Sequence, residues 1–330
     1  MTTTRAILSA GIAALFVTAV GYPASAQDSF PSQPITMIVP FAPGADTDNS
    51  ARLIARGMEE RLGQPVVVIN RTGAGGQIGF AEGAAADPDG YTITVATPSI
   101  VTGPYLSSAV RVRVLEDFEP VALPAGTPLA VITRADRPWS TAQEFLDYAA
   151  ENPGEILYGN PGEGSFSHLL PLAIESATGV EFTHIAYQGG GPALVAALGG
   201  EVDAAAVGIG GAVEHIREGT LQVLAFATRN RYPAFPDTPT LHEMGHDVET
   251  LTWWGYLVPK GTPQDRVEML ADAIRHAAGK PEFLETAERR TWLTDYYGPS
   301  EFAEFLVSED ARYGGLIERM IERGSLVRAN

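Results

Sequence analysis

From residue 35 onward, short apolar and β-branched runs alternate with longer stretches whose apolar positions recur every three or four residues. The strand-like runs stand at 35–41, 66–70, 91–97, 129–133, 156–158, 182–187, 204–207, 221–227 and 251–258. Helical patterns fill the intervals, the clearest at 48–62, where Ala51, Ile54, Ala55, Met58 and Leu62 mark one buried face. Strands alternating with helices in this way predict βαβ units, and therefore an α/β fold with parallel or mixed sheets flanked by helices.

Pro and Gly cluster at 123–128 and 233–239, which predicts the borders of a central lobe. The expected division is a first lobe of 27–125 completed by 255–330, and a second lobe of 126–254. Two lobes also suit the length, since single cores stop growing near ~250–300 residues. The first 26 residues read differently: Arg5, an apolar run over 6–20, then Ala24, Ser25 and Ala26 at a cleavage point. That order is a secretory signal peptide, so the mature chain is expected to be soluble and exported to the periplasm.

The chain has no Cys, which closes the lipoprotein route, disulfides and thiol catalysis. It carries 22 basic against 40 acidic residues, with Lys only at 260 and 280. No basic stripe is offered to nucleic acid or to an anionic membrane. An anion could be held here only if backbone N–H groups do much of the work.

Four loops have the form for that. In "PFAPGADTDNSAR" a buried strand ends at Phe41, a Gly-containing turn follows, and Asp46, Thr47 and Asp48 offer N-cap chemistry to a long helix. Such a helix start directs unpaired N–H groups and the positive end of the dipole at whatever lies above the strand. "NRTGAGGQIG" also joins a strand to a helix, but Gly73, Gly75 and Gly79 miss the Gly-x-Gly-x-x-Gly dinucleotide spacing. "YGNPGEGSFSHLLPL" places Ser165, Ser167 and His168 at a helix start, and "YQGGGPALVAALGGEVDAA" puts Pro192 in a first helical turn after three glycines. Ser165 and His168 are three apart on one element, with no Gly-x-Ser-x-Gly elbow and no acid in place, so capping and bracing describe them better than a Ser/His hydrolase.

One segment points to different chemistry. "HEMGH" matches the His-Glu-x-x-His signature of zinc hydrolases, with His242 and His246 as ligands, Glu243 as base and Glu268 a conceivable third ligand. The signature needs both His on one helix face. Here Thr238 and Pro239 predict a helix start, and Gly245 predicts its end before His246.

In order and spacing, these loops together with "DPDGYTITVAT" and "WWGYLVPKGTP" resemble the Bug-type periplasmic receptors of tripartite tricarboxylate transporters, from about Gln33 to beyond Gly298. The resemblance implies a two-lobed, type II-like periplasmic-binding-protein fold acting as a monomer without cofactor, metal or nucleic acid. It implies capture of a small organic acid in the interlobe cleft and delivery to membrane permease subunits. In such receptors one loop, here Phe41, Ala42, Gly44, Ala45, Asp46, Thr47 and Asp48, and a second, here Tyr187, Gly190, Gly191, Pro192 and Ala193, clasp a ligand carboxylate largely through backbone N–H groups. Thr97, Ser99, Asn160, Ser165, His168 and Val207 match further cleft-lining positions.

Two positions depart from the family pattern. Small residues, often Gly-Gly, are usual where this chain has Ala45 and Asp46; either Asp46 caps the helix, the commoner fate and the expectation adopted, or it faces the ligand. Val207 and Gly208 stand where Asp-Asn is frequent, giving a smaller and less polar wall. The alternatives to a transport receptor are the zinc hydrolase and a ligand sensor docking on a membrane kinase.

Overall fold

Most of the predicted runs become strands because they place branched or aromatic side chains on a face that another layer covers. The computed structural model describes residues 30–162, 165–322, 324 and 326–329; the expected signal peptide, 1–26, lies outside them. The elements in order are β1 Ile35–Val39, α1 Asp46–Leu62, β2 Val66–Asn70, α2 Gln77–Ala84, β3 Thr92–Ala96, α3 Ser99–Leu106, α4 Val114–Asp117 and β4 Phe118–Arg134. There follow α5 Ala142–Glu151, β5 Leu157–Asn160, α6 Leu169–Thr178, β6 Thr183–Ala186, α7 Gly190–Gly199, β7 Ala204–Gly208, α8 Ile209–Arg217 and β8 Leu221–Phe226. The chain closes with β9 Leu251–Pro259, α9 Gln264–Ala278, α10 Pro281–Arg289 and α11 Pro299–Glu322.

The strands join in the order β2-β1-β3-β9-β4-β7-β5-β6, with β8 also paired to β4. β1, β2 and β3 run parallel, as do β5, β6 and β7, whereas β9 is antiparallel to both β3 and β4. The sheet is therefore mixed. β4 belongs to both halves: residues up to Pro128 pair with β9, and those from Leu129 pair with β7 and β8.

The segment 123–128, expected as a lobe border, is continuous strand and ends where β4 changes partners. Pro120, Pro124 and Pro128 lie inside the 17-residue β4. Pro120 and Pro124 fall at the register shifts against β9, between Pro120 and Ala122 and between Ala122 and Ala125, where a missing N–H breaks no regular ladder, and Pro128 is the last residue paired with β9 before β4 changes partners. The core is continuous across the halves, with Phe145, Tyr158 and Trp139 in one cluster with Trp253, Phe302 and Tyr313.

Candidate ligand cleft

The carboxyl ends of β1, β3, β5 and β7 open on one cavity, the usual position for a ligand in an α/β sheet. Its volume is about 120 Å³. Its rim is made of loops and first helical turns: Gly44, Ala45, Asp46 and Thr47 before and in α1, Ser99 in α3, Gly190 and Gly191 in α7, and Gly208 and Gly211 around the start of α8. Each such turn leaves N–H groups without a partner in its own helix. The floor is Thr127 of β4 with Thr252 and Trp254 of β9, Thr127 and Thr252 being register partners.

The β1–α1 loop is held in shape before any ligand arrives. Asp48 accepts from the Gly44 N–H at 3.2 Å, from Arg52 Nε at 2.9 Å and from Asn70 Nδ2 at 2.9 Å, while Asn70 donates to the Phe41 carbonyl at 2.8 Å. Burial alone would raise the Asp48 carboxyl, but these donors outweigh it and hold the group below its ordinary range. The loop also meets its counterpart across the cleft, the Ala42 N–H donating to the Gln188 carbonyl at 3.1 Å.

Asp46 does not cap α1, contrary to expectation. The N-cap is Ala45, with extended backbone and no side-chain cap bond. Asp46 instead turns into the cavity wall, 6% exposed, where its Oδ1 accepts from Arg290 Nη1 at 2.9 Å. The Gly211 N–H and the Trp292 indole N–H approach the carboxylate without the geometry of full hydrogen bonds. Burial pushes the Asp46 carboxyl up to about 6, and Arg290 offsets only part of that.

Several polar groups of the lining have no partner among the described residues: the hydroxyls of Thr97, Thr127, Ser165 and Thr252 and the indole N–H of Trp254. Buried polar groups are normally hydrogen-bonded, so five of them around one cavity indicate a ligand or waters as their partners. Beside them lie apolar Phe41, Leu194 and Val207.

Of the residues singled out in the sequence, Phe41, Gly44, Ala45, Asp46, Thr47, Thr97, Ser99, Ser165, Gly190, Gly191 and Val207 meet at this cavity. Ala42, Asp48, Asn160, His168, Tyr187, Pro192 and Ala193 do not line it. Asp48 and Ala42 brace the loops as described, and Asn160 accepts from the Gly162 N–H at 3.0 Å. Tyr187 borders a neighbouring groove, and Pro192 and Ala193 follow in the first turn of α7. His168 packs against His184, Nε2 to Nδ1 at 3.1 Å, and burial pushes it down to about 4, so it is neutral at pH 7. Thr127, Thr252, Trp254 and Arg290 escaped sequence reading. Thr252 and Trp254 share the period-two face of "LTWWGY", a usable signal, whereas nothing near Arg290 marks it.

The His-Glu-Met-Gly-His segment is a turn, not a helix. Thr240 rather than Thr238 begins it, with Thr240 Oγ1 accepting from the Glu243 N–H at 3.0 Å. Gly245 ends it at a φ of +90°. The two His therefore cannot share a helix face, and Glu243 is engaged by Arg231 at 3.0 Å. Among the described residues no group of three or more His, Cys, Asp or Glu is placed to hold a metal.

Comparison with known proteins gives a consistent picture. A family model described as tripartite tricarboxylate transporter family receptor matches residues 50–321. Protein BugT of Bordetella pertussis is 35% identical over 314 residues, covering 94% of each chain. The structure of periplasmic binding protein BugD superposes with a TM-score of 0.83 at 32% identity, covering 88% of this chain and 98% of that one. MatC from Rhodopseudomonas palustris, solved with bound malate, gives 0.82 at 30% identity over 87% of this chain and all (100%) of MatC.

Proposed function

Because this chain belongs to the tripartite tricarboxylate transporter family of receptors, we propose that it captures a small organic acid in the cavity above β1, β3, β5 and β7 and delivers it to a membrane permease. The observation that carries this reading is the convergence of helix starts on a cavity whose Thr97, Thr127, Ser165, Thr252 and Trp254 polar groups lack partners among the described residues. First-turn N–H groups favour an anion locally, and the formal net charge of −18 is screened beyond ~8 Å at physiological salt. The capture is binding without chemistry, in the periplasm, after removal of the leader at 1–26.

The solved relatives support a carboxylate as ligand, since MatC carries malate and a second R. palustris protein, Rpa4515, 28% identical, was solved with adipate. The two sheet halves serve as the lobes, with β4 changing partners at Pro128 and Leu129, so ligand joins the β1–α1 loop of one half to the β6–α7 loop of the other.

A thermal-shift screen of mono-, di- and tricarboxylates tests this. At ~100 times its dissociation constant, a ligand of the folded form adds ~2.7 kcal/mol, read as a rise of several degrees in Tm, while zinc adds nothing. Stabilisation by zinc and by none of the acids overturns the reading.

A further inference from the structure

We propose that Asp46 is the specificity-determining residue of this cleft: it fills the second of two anion subsites with the protein's own carboxylate, so the receptor selects acids with one carboxylate over dicarboxylates of the same length. The proposal rests on the reading of the chain as an organic-acid receptor.

The first subsite lies where α1 and α7 begin, at Ala45, Thr47, Gly190 and Gly191, and among the described residues neither helix start has a side-chain cap. A ligand carboxylate can take their N–H groups. The second lies at the start of α8 beside Arg290, a helix start and a guanidinium that together suit an anion. Asp46 already sits there, accepting from Arg290 at 2.9 Å and facing the Gly211 N–H.

The surroundings are shaped to that carboxylate. A Cβ on Gly210 would stand 2.5 Å from Asp46 Oδ2 and 2.7 Å from Trp292 Nε1, so only glycine at 210 leaves the carboxylate its place. Asp46 and Arg290 are the only charged side chains lining the cavity among the described residues, and their charges cancel. A second ligand carboxylate would find the one cation taken and an anion beside it. The remaining wall offers apolar Phe41, Leu194 and Val207 and the neutral, unpartnered Thr127, Thr252 and Trp254, which fits the uncharged remainder of a monocarboxylic acid.

The test is calorimetric titration at pH 7.5 with aliphatic and aromatic dicarboxylates of four to ten carbons and, for each, its monomethyl ester, which keeps length and removes one charge. The wild type is expected to bind the best monoester at least tenfold more tightly than its diacid, and Asp46→Asn to shift that ratio at least tenfold toward the diacid. Diacids bound as tightly as their esters by the wild type, or an unchanged ratio in a folded Asp46→Asn protein, overturn the proposal while leaving the receptor reading intact. If no acid of either series binds, the receptor reading falls and the proposal with it. Should Asp46→Asn not fold, the wild-type ratio of ester to diacid decides by itself.

Discussion

Replacing Arg290 with Met is expected to lower stability by about 2 kcal/mol at pH 7.5 and by little at pH 5. The substitution keeps most of the side-chain volume and removes the charge that faces Asp46 at 2.9 Å. Breaking a buried ion pair costs ~3–5 kcal/mol because the surviving charge is left without compensation; less is expected at pH 7.5, because Arg290 is 28% exposed and a deficit that grows by ~1.4 kcal/mol per unit above pH 6 reaches only ~2 kcal/mol there. The pH dependence follows from linkage. Asp46 has a folded pKa of about 6 against an ordinary value of 3.8, so between these pH values the folded state binds the proton more readily than the unfolded chain. Its contribution is therefore fully present below the unfolded value and is lost as pH rises through 6. Without Arg290 the folded pKa rises further, since an opposing charge has gone. The deficit of the variant is thus complete above its own raised pKa and vanishes where both proteins hold Asp46 protonated. Urea unfolding of both proteins at pH 5, 6, 7 and 8 reads this directly. A deficit equal at all four values would mean that Arg290 acts through the packing of its stem and not through its charge.

Gly255→Val is expected to cost at least ~3 kcal/mol, beyond the middle of the usual range for overpacking. A Cβ at Gly255 would stand 2.1 Å from Cζ and 2.7 Å from Cε1 of Phe302. That ring cannot step aside: it is fully buried, and it meets Trp253 edge-on at 5.8 Å. The added methyls must push α11 off β9. Phe302→Ala alone should cost ~3–5 kcal/mol through the cavity it leaves. In the double variant the new side chain enters that cavity, so the combined loss should fall short of the sum by ~1–3 kcal/mol. Denaturant midpoints of the four proteins of this cycle settle it. Strict additivity would show that the two positions do not share the space assigned to them.

These substitutions also mark how far the sequence could be read. Nine strand positions and the α1 face were legible because alternation and the three-and-four spacing depend only on near neighbours. The helix starts around Ala45 and Gly190 were legible for the same reason, since the end of a strand, a glycine turn and a first helical turn are local events. The break before His246 was legible too, because Gly245 needs only its own φ of +90° to end the segment. Where a local rule had a distant competitor, it failed. The Pro and Gly cluster at 123–128 was read as a border and given no strand, yet it lies within β4 because β9, more than a hundred residues away, pairs with it. Asp46 carried the chemistry of a helix cap, yet its partner lies 244 residues along the chain. A buried carboxylate goes to the strongest compensation within reach, and a guanidinium supplies more than a backbone N–H. Residue types and spacing determined the layers, the helix starts and the family. Only the folding of the C-terminal segment back over the first loop decided that Arg290 would meet Asp46 and that Phe302 would need the space beside Gly255, because the energy of those contacts depends on through-space distances that no local pattern encodes.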